Sequence, residues 1–306
     1  MPVMFLEVHE PAGRLDRYLA DHIEGLSRSA AQRLLKEGQV LVNGKPSKPS
    51  YAPVPGDIIR VEIPAAEPVH PRPEPLPLAI LYADEYLALI NKPAGIAVHP
   101  GAGRRSGTLV NALLARYPEI AAQFPDPARP GIVHRLDRDT SGVLVVALRR
   151  DVQLALQRQF KAREVEKCYL ALVYGHPQPR RGAIEAPIGR NPVQRTRMAI
   201  LAEGGRHART EYTVRELFAR PPAAWVEVRP LTGRTHQIRV HLSAIGHPVV
   251  GDLVYGYRRG EIPAPRQMLH SWRLGFRHPI TGEELCVEAP VPKDMELVLA
   301  RLRSAD

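Results

Sequence analysis

Gly131-Ile-Val-His-Arg-Leu-Asp-Arg-Asp-Thr-Ser-Gly142, running directly into Val143 to Leu148 (VLVVAL), decides how this chain is read. An unbroken apolar run of that length fits a strand buried on both faces. The charged residues in front of it must then sit on a loop at the edge of a core. Loops fixed by a rigid scaffold are where binding and chemistry are usually mounted, which makes His134, Arg135 and Asp137 candidate functional residues. Asp139, Thr140 and Ser141 read more simply as a turn whose short polar side chains bond the backbone.

Outward from this stretch, Leu81 to Asn91 predicts a hairpin around Asp84-Glu85, and Thr108 to Tyr117 carries Leu109, Leu113 and Tyr117 at helical spacing. On the other side, Asp151 is expected to cap a helix that aligns Val152, Leu156 and Phe160. Tyr169–Val173, Thr210–Val214, Trp225–Val228 and Gln237–His241 read as further strands. Many strands with few crossover helices predict an α+β domain with a mainly antiparallel sheet.

The first 64 residues read as a separate small unit. Leu15, Leu19 and Ile23 stack on one helix face, and a second helix is expected from Ser29 to Glu37, capped by Ser27 or Ser29 and stopped by Gly38. Gln39 to Val42 is then a strand, Asn43-Gly44 a hairpin turn, and Ile59, Val61 and Ile63 alternate along a closing strand. From Ser27 to Lys48 the bases Arg28, Arg33, Lys36, Lys45 and Lys48 face a single acid, Glu37, with Arg33 and Lys36 on one helix face. The segment PAAEPVHPRPEPLP (64–77) holds six prolines and reads as a semi-rigid linker. The expected domains are therefore 1–64, a linker at 65–77, and 78–306.

These segments carry two resemblances. RLDRYLAD, SRSAAQRLLKEGQVLVNGK and PGDIIRV resemble, in order, the ribosomal-protein S-four type (alpha-L) RNA-binding domain, which grips RNA with its second helix and the following turn. HRLDRDTSG matches the signature HRLD-x-x-TSG of the RluA-type pseudouridine synthases. NKPAGIAVHPG (91–101), KCYLALVYG (167–175), LTGRTHQIRVHLSAIGHPVVGD (231–252) and RQMLHSWRLGFRHP (266–279) resemble further segments of that family in the same order. The resemblance implies the pseudouridine synthase fold and an activity that needs no cofactor, the isomerisation of uridine in structured RNA. The attached RNA-binding module is similar to the RluD-like branch, which implies large-subunit ribosomal RNA as substrate; a transfer-RNA enzyme and a non-catalytic ribosome-assembly factor are the alternatives.

By the same resemblance Asp137 is the nucleophile, Arg239 its partner and Tyr169 the aromatic that stacks on the target base and helps remove the C5 proton. A carboxylate in a site that excludes water is disfavoured as an anion unless a fixed cation offsets the burial, and an arginine fork can hold it through two bonds. The strand reading puts Arg239 and Gln237 on one face. Arg135 matches the family residue that fills the space of the extruded base. Arg190, Arg195, Arg197, Arg206 and Arg209 are candidate phosphate contacts, and His134 joins the RNA-binding set. His236 and His241 lack metal-ligand spacing and, on a strand, would face opposite ways, so no metal is expected.

Composition agrees with this direction without fixing it. A chain of 306 residues with 44% hydrophobic content supports two folded units. Its formal net charge of +10 favours a polyanionic partner, since Lys and Arg release counterions from phosphates. Two cysteines, Cys168 and Cys286, are too few for a disulfide scaffold. No apolar run approaches the length of a membrane helix, and MPVMFLEVHEPAGR lacks secretory-signal features, so a cytoplasmic monomer with RNA as its partner is expected.

Overall fold

The computed structural model describes residues 3–63, 70–101, 105–257 and 261–305. The chain divides into two compact units, Met1–Pro68 and Val69–Asp306. No helix among the described residues is long and apolar enough to cross a membrane.

In the first unit β1 (Val3–Glu7) precedes α1 (Leu15–His22) and α2 (Arg28–Lys36), which are followed by β2 (Val40–Val42), β3 (Lys45–Pro46) and β4 (Ile58–Glu62). The antiparallel sheet runs β1-β4-β2-β3. Helix α1 turns Leu15 and Leu19 into the core, where they meet Leu34 and Leu35 of α2 and Ile59 and Val61 of β4. Ser27 caps α2 by accepting the Ala30 N–H at 3.2 Å, and Gly38 ends it in the left-handed region. Asn43 and Gly44 both take positive φ, as a tight hairpin turn requires. The turn is locked because Asn43 donates to buried Asp57 at 2.7 Å and accepts the Ile58 N–H at 2.9 Å. β1 had no counterpart in the sequence reading; its side chains are mostly exposed, so no apolar alternation announces it.

The second unit contains β5 (Ala79–Ala83), β6 (Leu87–Lys92), α3 (Leu109–Arg116), α4 (Ile120–Gln123), β7 (Ser141–Ala147), α5 (Arg150–Ala162), β8 (Glu166–Tyr174) and β9 (Arg181–Glu185). After these come β10 (Ile188–Arg190), β11 (Met198–Ile200), β12 (Arg209–Phe218), β13 (Ala223–Pro230), α6 (Gln237–Ala244), β14 (Leu269–Arg277), β15 (Glu284–Glu288) and α7 (Lys293–Ala305). The main sheet follows β5-β6-β7-β14-β8-β13-β12-β9, with β15 on β14, and among the described residues only β7 and β14 pair in parallel. β7 is buried at every position, as its apolar run predicts. Asp151 lies in the first turn of α5 rather than at its cap, which is Arg149; near the helix N-terminus its charge is still favourable.

The parallel contact is short and decisive. His270 and Ser271 of β14 align with Ser141 and Gly142 of β7, so the end of the charged loop is fastened at the middle of the sheet. Gly142 holds φ +114, and a Cβ there would stand 2.1 Å from the Ser271 carbonyl oxygen. Only glycine lets these two backbones approach so closely.

Residues 64–69, which open the proline-rich segment, lie outside the described residues. Its described end is fixed to the second unit and does not run free. Asn111 of α3 donates to the Arg72 carbonyl at 2.8 Å, the Glu74 N–H reaches the Asn111 carbonyl at 2.9 Å, and the Glu74 carboxylate accepts the Gly107 N–H at 3.0 Å.

Candidate active site

A cavity of 560 Å³ opens where the loop before β7, the start of β8, the loop after β13 and the start of α6 converge. Asp137, Tyr169 and Arg239 all line it. The loop that carries Asp137 is held by buried groups from two other segments. Lys92 at the end of β6 is completely buried, and its ammonium donates to the carbonyls of Pro93 (2.7 Å), Ile96 (3.1 Å) and Arg138 (3.0 Å). Burial pushes its pKa down to about 7. Arg266, just before β14, donates to the Asp139 carbonyl at 3.1 Å and the Ser141 hydroxyl at 3.2 Å, while Asp294 of α7 anchors it at 2.6 Å. Gln267 donates to the Thr140 hydroxyl at 2.7 Å. Asp139 pairs with neighbouring Arg138 at 2.9 Å, and Ser141 also meets His270 Nδ1 at 2.9 Å, so among the described residues the side chains of Asp139, Thr140 and Ser141 contact other side chains and do not make the backbone bonds of the turn reading.

Arg239 arrives differently from expectation. Gln237–Ala244 is a helix, so residues two apart lie about 200° around the axis. Gln237 and Arg239 therefore face opposite ways, which corrects the strand reading. The sequence alternates polar Gln237, Arg239 and His241 with apolar Ile238, Val240 and Leu242, a strand-like pattern. It misleads because α6 is buried on all sides, and its polar residues are buried with partners of their own. Gln237 and His241, one turn apart, both bond the Thr210 hydroxyl at 2.9 Å. The other ring nitrogen of His241 faces the Ala186 carbonyl at 3.0 Å, so that nitrogen carries the proton.

On the opposite side Arg239 meets two carboxylates. Nη1 donates to Asp137 Oδ2 at 2.8 Å, whereas Nε and Nη2 grip Asp252 at 2.7 and 2.9 Å. The two-bond fork expected for Asp137 is thus spent on Asp252, and Asp137 receives one bond. Its second oxygen remains on the cavity side, with the Asp137 side chain 20% exposed against 6% for Arg239 and 0% for Asp252. Asp252 also accepts the N–H groups of Val254 and Tyr255. Burial opposes its charge, but Arg239 and those two N–H groups hold its carboxyl below the usual range. Burial likewise opposes the charge of Arg239, yet Asp252 and Asp137 raise it above the ordinary guanidinium value. The Tyr255 ring packs against the guanidinium, 5.0 Å from its centroid.

His236 precedes α6 with a left-handed backbone, its Nδ1 2.8 Å from the Tyr255 hydroxyl. Its Nε2 stands 3.9 Å from Asp137, and burial lowers its pKa. Neither His236 nor His241 belongs to a metal-like cluster among the described residues. Tyr169 is half-buried on the face of β8 that borders the cavity; burial, the Ser271 hydroxyl and the Asp137 charge leave its phenol raised to about 12.

The predicted RNA contacts separate into several groups. His134 stacks on Phe160 with centroids 4.6 Å apart, and its Nε2 accepts the Val145 N–H at 3.1 Å; burial pushes its pKa down to about 3. That nitrogen is committed to the scaffold. Arg135 is exposed at the cavity mouth. Arg190, Arg195 and Arg197 sit on or near the β10–β11 hairpin and are absent from the cavity wall, while Arg209 is paired with Glu185 and Glu211. In the first unit Arg28 donates to buried Asp16, which also binds Arg14, whereas Lys36 and Lys45 are exposed and Arg33 reaches Glu37 only at 4.0 Å. Sequence reasoning passed over Asp252 and Tyr255, although both lie in or beside the GHPVVGD segment it quoted. It also passed over Arg163, Lys167 and Arg234 on the cavity wall.

The family model described as RNA pseudouridylate synthase matches residues 86–244, which hold the whole Asp137–Tyr169–Arg239 cluster. This chain belongs to that family. An S4 domain model matches residues 13–59. An uncharacterized RNA pseudouridine synthase of Chloroflexus aurantiacus is 48% identical over 294 residues, 96% of this chain and 91% of that one. Ribosomal large subunit pseudouridine synthase D of Xanthomonas campestris is 41% identical, covering 95% of this chain and 89% of its own. Among solved structures, human RNA Pseudouridylate Synthase Domain Containing 1 is similar with a TM-score of 0.57 and 34% identity, covering 74% of this chain and 95% of that one. The pseudouridine synthase fold, a large mostly antiparallel sheet with helices against it, follows from both comparisons, as does membership of an isomerase family acting on RNA.

Proposed function

We propose that this pseudouridine synthase isomerises specific uridines of large-subunit ribosomal RNA, with Asp137 as the nucleophile on a base flipped out of its stack. The observation that carries the catalytic part is the 2.8 Å contact between Asp137 and Arg239 at the wall of the cavity that Tyr169 also lines. The ribosomal substrate rests on the relatives named ribosomal large subunit pseudouridine synthase D.

The reaction breaks the N1–C1′ bond and makes a C5–C1′ bond, with one proton lost from C5 and one gained at N1. Nothing is oxidised and no atom group is exchanged with a second substrate. A carboxylate that bonds the nucleotide transiently divides this into easier steps. Arg239 orients Asp137 through a single hydrogen bond, which leaves the other oxygen for attack, either on the uracil ring or on the ribose carbon. Tyr169 offers its ring to the base. With its phenol held neutral at ordinary pH, it moves the C5 proton by relay, passing its own hydroxyl proton to solvent in the open cavity as it accepts the one from C5. Arg135 takes the place of the extruded base, and Arg33, Lys36 and Lys45 of the S4 domain hold RNA backbone, with Arg28 partly engaged by Asp16.

Tritium release from C5-tritiated large-subunit ribosomal RNA tests this directly. Wild type should release tritium, and Asp137→Ala should release none while binding the same RNA with unchanged affinity. Release by the Asp137→Ala protein would remove the proposed nucleophile.

A further inference from the structure

Several arginines of the second unit have acidic partners: Arg239 with Asp137 and Asp252, Arg266 with Asp294, Arg209 with Glu185 and Glu211, Arg215 and Arg229 with Glu227. Among the described residues six cations on the wall of the cavity break this pattern, Arg135, Lys161, Arg163, Lys167, Arg206 and Arg234, and the last four are linked by their charges, Arg163 acting on Lys167 and both Arg163 and Arg206 acting on Arg234. Among the described residues no carboxylate lies within ion-pair distance of Arg163, Lys167, Arg206 or Arg234, and all four border the space that Asp137 and Tyr169 border.

They come from four separate places in the chain. Arg163 ends α5 in the left-handed region. Lys167 lies on β8 two residues before Tyr169, hence on the same face of the strand. Arg206 bridges to Ile188, and Arg234 stands in the loop between β13 and α6. That loop is braced: the Arg234 N–H and the Thr232 hydroxyl both donate to Gln237 Oε1, at 3.0 and 2.7 Å, and Arg234 Nε donates to the His207 carbonyl at 2.9 Å. The guanidinium is thereby aimed by backbone contacts.

The cluster is unfavourable in the free protein. Burial and then Arg163 lower the pKa of Lys167, and burial, Arg206 and Arg163 lower that of Arg234. Positive groups gathered without counter-charge at a cavity gain most from an anion that several of them can share.

We propose that Arg163, Lys167, Arg206 and Arg234 form a phosphodiester-binding subsite that holds the RNA backbone next to the uridine entering the cavity. This rests on the reading of the cavity as the uridine site. The subsite positions the backbone at the point where it must rotate to expel a base, so its contacts add affinity only when a nucleotide is flipped. They carry no sequence information, as is general for phosphate contacts.

The test uses the full-length protein and transcribed C5-tritiated large-subunit ribosomal RNA, with kcat/KM from tritium release followed across a KCl series. Arg163→Gln and Arg234→Gln should each lower kcat/KM at low salt and make log(kcat/KM) against log[KCl] shallower by roughly 0.7–0.9 per lost phosphate contact. Arg301→Gln, an exposed change on α7, should keep the wild-type slope. A second readout needs no variant to fold: transcripts ethylated at random phosphates are sorted by whether wild type has modified them. Ethylation beside the modified uridine should exclude transcripts from the pool that wild type has modified. Wild type that releases no tritium refutes the reading of the cavity itself. Wild type that does release it, with unchanged slopes in the variants and no ethylation-sensitive phosphate beside the target, refutes the subsite alone.

Discussion

Asp252 shows how a residue that never faces the cavity can govern one that does. Completely buried, it takes both parallel bonds of the Arg239 fork and fixes the guanidinium plane, so that Nη1 alone points at Asp137. Asp252→Asn removes the charge that balances Arg239 and leaves the fork free to turn toward Asp137, blocking the oxygen that the proposed mechanism uses for attack. The expected result is at least about a tenfold fall in kcat, equivalent to ~1.4 kcal/mol of barrier, measured by tritium release with RNA binding unchanged. Lys92 gives a pH-dependent test. Its folded pKa is depressed to about 7 by burial from the ordinary lysine value of 10.5, so the unfolded chain binds the proton more readily between those values. Its contribution to stability therefore rises as pH increases from 7 toward 10.5 and is lost as pH falls through 7. Lys92→Met abolishes this dependence, and the melting temperature of wild type relative to the variant should climb between neutral and alkaline pH. A flat difference would show that the ammonium is not penalised in its carbonyl cage.

At the scale of elements, the parallel contact between β7 and β14 and the helix α6 build the site from opposite sides. Gly142→Ala tests the first. The added methyl meets the Ser271 backbone at a distance no neighbouring side chain can relieve, and the positive φ is strained as well. The cost should be about 1–3 kcal/mol from overpacking with backbone strain on top, read by thermal melting, and activity should fall further than folding because Ser141 and Asp137 are displaced together. The buried strand, the hairpin of β5 and β6 and helix α3 were all legible in the sequence, because an unbroken apolar run, a turn between two apolar runs and apolar residues at helical spacing are each local signals. Helix α6 was not. Its alternation arises from buried polar side chains whose partners, Thr210, Ala186, Asp252 and Asp137, lie far along the chain, and hydrophobic periodicity carries no record of such pairings.

For the whole molecule, the boundary between the two units has a measurable consequence. Residues 70–77 carry the prolines expected of a linker, yet Arg72 and Glu74 are bonded to α3 and the turn before it. A fragment beginning at residue 70 should melt several degrees above one beginning at 78, since the shorter one loses a set of hydrogen bonds worth about 1 kcal/mol each. Equal melting temperatures would mean these contacts add nothing. Charge is distributed unevenly at this scale too: a net +10 is only a composition, but the folding of the second unit concentrates unpaired cations on one cavity wall.

The order of short motifs by itself determined the family resemblance, the α+β class and the identity of Asp137, Tyr169 and Arg239 as the residues to examine, because a motif is a local run whose members stay adjacent whatever the fold does. Tertiary structure alone decided that Arg239 clasps Asp252 with its fork and Asp137 with one nitrogen, that His134 accepts a scaffold N–H, and that Arg163 and Lys167 meet Arg206 and Arg234 on one cavity wall. The Arg239–Asp137 contact joins residues 102 positions apart, and even the shorter spans, 13 residues for Arg239–Asp252 and 11 for His134–Val145, cross from one element to another. Such pairings are set by how the sheet and α6 bring segments together and leave no mark on the local sequence.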